Sequence, residues 1–157
     1  MENYIIREAE ISDLKRIQEL SQEFIEHEEK LVNTEYMIPL DWALSNAGYE
    51  NYKKNIENDF LFVVCIEEKI IGYMTCWINK QQDWDKHKTV EIGNIYIQEE
   101  YRNKGIGTKL IEKAKNICKQ NNIKFLEVKV LYDNELAKKF YEKNNLNKYM
   151  ITQITEV

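Results

Sequence analysis

Apolar residues fall at Leu14, Ile17, Leu20, Phe24 and Ile25, the spacing of one buried helix face. Ser12 stands just ahead as an N-cap, and a short strand over 3–7 precedes it. From His27 to Asp59 the pattern loosens around the single proline, Pro39, and leaves room for one short helix over 49–56. Two β-rich runs follow, Phe60–Ile66 and Lys69–Ile78, joined at Glu67-Glu68 as a hairpin. After a polar stretch over 79–88, Thr89–Ile97 reads as another strand. The run 106–119 turns Ile106, Leu110, Ile111, Ala114, Ile117 and Cys118 to one side. A strand over 125–131, a helix Glu135–Lys143 capped by Asn134, and a last strand over 148–154 complete the chain. The order β-α-α-β-β-β-α-β-α-β is α/β, and no repeat or linker divides it, so one domain over 1–157 is expected.

Composition narrows the function classes. With 43% hydrophobic and 31% charged residues over 157 positions, the chain has room for a real core and is not of disordered type. No apolar run approaches the roughly 20 residues of a membrane helix. Met1-Glu2-Asn3-Tyr4 has neither the basic start nor the apolar stretch of a signal peptide, so the cytosol is the expected location. A net charge of −5 argues against nucleic acid as a partner. Cys65, Cys76 and Cys118 sit singly in apolar runs, as buried thiols do. His27 and His87 are the only histidines and show no ligand spacing, so no metal is expected.

Only five glycines occur, and two of them lie in Arg102-Asn103-Lys104-Gly105-Ile106-Gly107, where a strand turns into a helix. A helix N-terminus presents unpaired N–H groups and a positive dipole end. Glycines there let successive amides converge on one anion. Arg102 and Lys104 add charge, which describes a pyrophosphate site; the other reading of the two glycines is a close helix–strand contact. A Walker loop would need lysine after its last glycine, and a dinucleotide fingerprint would need glycine at 110, where leucine stands.

Arg-x-x-Gly-x-Gly after "IYIQEEY", followed at the right separation by "NELAKKFYEKNNL" over 134–146, resembles the acetyl-CoA loop and tyrosine helix of the GNAT N-acetyltransferases. The chain departs from that pattern at Asn145-Leu146, where the family often has Gly-Phe. Asparagine can still take the helix-ending left-handed conformation, and leucine the apolar plug. The resemblance implies a mixed, mostly antiparallel sheet flanked by helices and a function in moving an acetyl group from acetyl-CoA to a small-molecule or peptide amine. It places acetyl-CoA against Arg102, Asn103, Lys104, Gly105, Ile106, Gly107, Thr108, Asn134 and Tyr141. Pantetheine is expected to enter beside the glycine-interrupted strand, at Asn94, Ile95, Tyr96 and Ile97.

Two residues carry the expected chemistry. Glu91, eleven positions before Arg102, matches the family's strand glutamate and would take the amine proton, directly or through water; otherwise it is an ordinary strand-edge carboxylate. Tyr141, two helical turns after Asn134, would reprotonate the departing thiolate; otherwise it is a core aromatic. For the acceptor, Glu26, Glu28, Glu29, Glu35, Asp41, Glu50, Glu57 and Asp59 alternate with Tyr36, Trp42, Tyr49 and Tyr52, with Trp77 and Trp84 further on. Carboxylates among aromatics suit a cationic amine, and they equally suit a solvated face over packed rings. A homodimer stays open. So does a non-catalytic acyl-CoA-binding regulatory module, against which the presence of both Glu91 and Tyr141 argues.

Overall fold

The computed structural model describes residues 3–32, 38–79 and 88–155. Strands β1 (Tyr4–Glu8), β2 (Phe60–Ile66), β3 (Lys69–Ile78), β4 (Thr89–Ile97) and β5 (Phe125–Val128) form one sheet in that order. The first four pair antiparallel, and β5 joins β4 in parallel. Helices α1 (Leu14–Glu29) and α2 (Asn46–Asn58) lie between β1 and β2. Helix α3 (Ile106–Gln120) is the crossover that a parallel β4–β5 pair requires, and α4 (Glu135–Lys143) follows β5. The result is a single mixed α/β sheet flanked by helices.

Side-chain alternation along the strands builds a core on each face. On one, Val64, Ile71, Met74, Cys76, Val90 and Ile92 meet the apolar stripe of α3, and Phe140, Tyr141 and Leu146 pack against them. On the other, Val63, Cys65, Tyr73 and Tyr96 meet Leu14, Ile17 and Leu20 of α1 and Tyr52 of α2.

The start of α1 departs from expectation. Ser12 is not its cap; a 3-10 turn, Ile11–Asp13, comes first. Asp13 is 7% exposed, accepts from the Glu10 N–H at 2.8 Å and takes both arms of the Arg7 guanidinium at 2.7 and 2.9 Å. The Asp13 oxygens are turned back to Arg7 and the Glu10 N–H, and α1 begins without a side-chain cap. The bond to Arg7 holds the Asp13 carboxyl below the usual carboxylate range. Its contribution is therefore complete above that range and is lost as pH falls through the depressed pKa. Arg7 is partly exposed, so Asp13→Asn should cost about 1–2 kcal/mol at neutral pH. The difference in Tm from the unsubstituted protein should close on acidification; equal Tm at pH 7 would leave the bond without energetic weight.

The last expected strand is absent. Residues 147–155 form no strand, and Tyr149, Met150, Ile151 and Ile154 are exposed. A β-rich run becomes a strand through its ladder and a buried face, and these side chains have no face against the sheet. The end of α4 follows expectation. Asn145 takes φ 65°, Leu146 N–H donates to Tyr141 O at 2.9 Å, and Leu146 packs on the α3-side core.

Candidate active site

The β4–β5 ladder runs from Thr89 and Phe125 to Ile92 and Val128 and stops there, short of the expected 131. The cause lies on β4. Its pairing with β3 shifts between Met74 and Cys76, and a Cβ on Gly93 would stand 2.3 Å from the Trp77 ring and 2.6 Å from Thr75 Oγ1. Only glycine fits this bulge, which turns β4 away from β5. Past it no β4–β5 rung forms among the described residues, so the β5-side edge of β4 from Gly93 to Ile97 is left without a partner strand, and this edge is the candidate gap.

Hydrogen bonding decides which backbone atoms face that gap. The Asn94 N–H donates to Thr75 Oγ1 at 3.0 Å, and the Gln98 N–H donates to Ile71 O at 3.0 Å, both toward β3. Strand alternation then turns the N–H groups of Ile95 and Ile97 into the gap. Asn94 is thereby removed from the expected set of free amides. Tyr96 points its side chain to the α1 face, where its hydroxyl donates to Glu23 Oε2 at 3.1 Å; burial, then Glu23, pushes that phenol up to about 12.

At the far end of the gap, Asn103 (φ 60°) and Gly105 (φ 80°) bracket Lys104 in left-handed conformations. Gly105 is followed by α3, which begins without a side-chain cap, so the first-turn N–H groups of Ile106, Gly107 and Thr108 face outward. The nearby charges already have protein partners. Arg102 donates through Nε to Ile97 O at 2.8 Å and lies 5.5 Å over the Tyr96 ring, on the α1 side, where burial and then its charge lower the His27 pKa. Lys104 lies over the Tyr101 ring, and Lys109 pairs with Glu112.

Gly107 has a role that the sequence did not assign. A Cβ there would stand 2.9 Å from two atoms of the Phe140 ring, so this glycine lets α3 approach α4. Gly107→Val should therefore destabilise by about 1–3 kcal/mol through overpacking. Adding Phe140→Ala should restore much of the Tm; no recovery in the double variant would sink the ring-contact explanation.

Glu91 is 6% exposed and lies opposite Trp77 on β3 and Glu127 on β5. Asn79 organises this cluster. Its Nδ2 donates to Glu91 Oε2 at 3.0 Å, to Glu127 Oε1 at 2.7 Å and to Thr89 Oγ1 at 3.0 Å, while its Oδ1 accepts from Trp77 Nε1 at 3.1 Å. The other Glu91 oxygen accepts from Lys129 Nζ at 2.7 Å. The carboxylate stands one residue before the last ladder position, at the apex of the gap.

Tyr141 lies on the α3 side of the sheet, beside Cys76 and Glu28. Burial raises its phenol pKa well above the ordinary value, followed by the charge of Glu28 and then Cys76. Cys76 is the residue paired with Ile92. The ring packs on the α3-side core and on Phe140, with centroids 5.0 Å apart. Its hydroxyl makes no hydrogen bond among the described residues. Asn134 caps α4 by accepting from the Ala137 N–H at 3.0 Å and donates to Glu28 Oε1 at 2.8 Å. Glu28 is itself buried, and burial raises its pKa against the lowering effect of that bond.

The expected acceptor stretch divides in two. Glu26, Glu29, Asp41, Glu50 and Glu57 are exposed, while Trp42, Tyr49 and Tyr52 pack into the α1-side core. Asp59 is half-buried and accepts from Asn55 Nδ2 at 3.3 Å, while Glu28 is buried and bonded to Asn134. Glu35, Tyr36 and Trp84 lie outside the described residues.

Residues 17–145 match the model of the acetyltransferase (GNAT) family. The chain is 30% identical over 118 residues to an uncharacterized N-acetyltransferase of Archaeoglobus fulgidus, covering 66% of this chain and 80% of that protein. It is 29% identical over 102 residues to an uncharacterized N-acetyltransferase of Methanocaldococcus jannaschii, covering 65% of this chain but only 44% of the relative. In fold it is similar to an aminoglycoside N-acetyltransferase solved in complex with CoA, with a TM-score of 0.72, 14% identity and coverage of 99% and 95% of the two chains.

Proposed function

The chain belongs to the acetyltransferase (GNAT) family, and from that premise we propose that it moves an acetyl group from acetyl-CoA to a primary amine of a small molecule or peptide. One observation carries the reading: at the Gly93 bulge the β4–β5 ladder ends, with Glu91 one residue before its last rung and Tyr141 beside Cys76, the β3 partner of Ile92 at that rung. A non-catalytic cofactor binder would need the gap but neither side chain.

The residues present fit acetyl-CoA. The outward N–H groups at the start of α3 suit a pyrophosphate, and the N–H groups of Ile95 and Ile97 suit an amide-bearing arm laid along the gap. When bound, acetyl-CoA supplies the activated acyl group as a thioester. Glu91 takes the proton that the acceptor ammonium must lose. The Ile95 N–H is oriented to stabilise negative charge on the carbonyl oxygen. Tyr141, held protonated by burial, gives its hydroxyl proton to the leaving thiolate. Asn134 fixes the start of the tyrosine helix, and Glu28 fixes Asn134.

The aminoglycoside acceptor of the structural neighbour is a polycationic amine, and the Trp77, Glu91 and Glu127 cluster suits a cation here too. Release of CoA thiol should be followed against amines graded in charge, beside calorimetry of acetyl-CoA. Turnover on at least one amine supports the transferase. Tight cofactor binding with no turnover on any amine would replace it with the regulatory module.

A further inference from the structure

Lys129 is the first residue past the last rung of the β4–β5 ladder. Its ammonium donates to Glu91 Oε1 at 2.7 Å, although its side chain is 85% exposed and that of Glu91 only 8%. Other exposed lysines pair differently: Lys109 and Lys148 meet Glu112 and Glu142, carboxylates that are themselves exposed. Lys129 thus places a primary amine at the mouth of the gap, on the carboxylate assigned to take the acceptor's proton. Its side chain lies mostly in solvent and is held at its tip by Glu91.

We propose that Lys129 is a self-acetylation site, filled by the protein's own transfer chemistry when no external amine is present. This rests on the transferase reading above. The ammonium gives one proton to Glu91. The freed Nζ lone pair attacks the thioester carbonyl carbon of acetyl-CoA, so a C–N bond forms and the C–S bond breaks. The thiolate takes the Tyr141 proton, which solvent replaces, and the remaining surplus proton on nitrogen passes to water. Lysine ammonium and acetyl-CoA become acetyl-lysine, CoA thiol and one proton. The neutral product no longer pairs with Glu91, so modification also releases the carboxylate.

The test is to incubate the full chain with acetyl-CoA and no amine, then map acetylated lysines by peptide mass spectrometry over time. The Glu91→Gln variant is run in parallel, with chain unfolded in urea as the measure of purely chemical acetylation. Lys129 should be acetylated about 10-fold or more faster than the exposed, ion-paired Lys109 and Lys148, and Glu91→Gln and urea should each abolish that preference. Lys129→Arg keeps the charge and should remove the rapid phase without unfolding the protein. Uniform labelling of exposed lysines, or a Lys129 rate indifferent to Glu91→Gln, overturns the proposal. Turnover on external amines with Lys129 unmodified sinks self-acetylation alone. Transfer to neither amine nor lysine sinks the transferase reading with it.

Discussion

Tyr141→Phe is expected to lower kcat by about 10²-fold or more while leaving acetyl-CoA affinity and Tm nearly unchanged. The ring stays, so its packing on the α3-side core and against Phe140 stays. The hydroxyl makes no hydrogen bond among the described residues, so its removal strands no partner there and carries no desolvation penalty. A loss of turnover therefore reports the missing proton donor. Direction of pKa adds a second check. Burial and then Glu28 hold the phenol above its ordinary value, so the acid stays protonated through the alkaline range. The kcat profile should show no falling limb near the ordinary tyrosine pKa of about 10. Glu28→Gln removes the charge that opposes ionisation and should bring that limb downward. Unchanged kcat in Tyr141→Phe, with chemistry rate-limiting, returns the residue to its part in the core.

Local period made most of the fold legible. The limits of β2, β3, β4 and α4 follow from alternation, apolar spacing and the Asn134 cap. The bulge could be suspected from a glycine inside a strand. What it does could not, because the clash it avoids is with Trp77 and Thr75 of another strand. The same limit applied at Gly107, whose neighbour, Phe140, lies on another helix. At 148–154 residue preference suggested a strand, but nothing in the run itself says whether the sheet offers a face to bury it. Glu28 carried a usable signal: it continues the Leu14, Ile17, Ser21, Ile25 stripe, and a carboxylate on a buried stripe needs a partner. Its partner, Asn134, lies 106 positions away. Asn79, Glu127 and Lys129 carried no such signal, since only the β4–β5 register brings them to Glu91.

Glu91→Gln is expected to depress kcat/KM most strongly near neutral pH, by about 10²-fold, and less as pH rises. Near neutrality almost every amine with a lysine-like pKa of about 10.4 is protonated, and the missing base is felt in full. Toward that pKa the free amine appears without help, and the two enzymes should converge. Folding is a poor alternative explanation. Glutamine keeps the size and an oxygen that can accept from Asn79, and the lost bond to the exposed Lys129 contributes little to stability. Lys129 complicates the profile in a calculable way, because its ammonium competes with the acceptor for the same oxygen. Lys129→Met should lower KM for a cationic amine and leave the pH dependence of the Glu91→Gln deficit as it was. A carboxylate that only attracts the substrate gives a different pattern. KM rises, the effect fades with salt, and kcat holds. Both parameters should be measured from about pH 6 to 9.5 at two ionic strengths on the best amine found. A deficit of constant size at every pH removes Glu91 as the base, and a salt-sensitive KM change alone makes it part of the acceptor site.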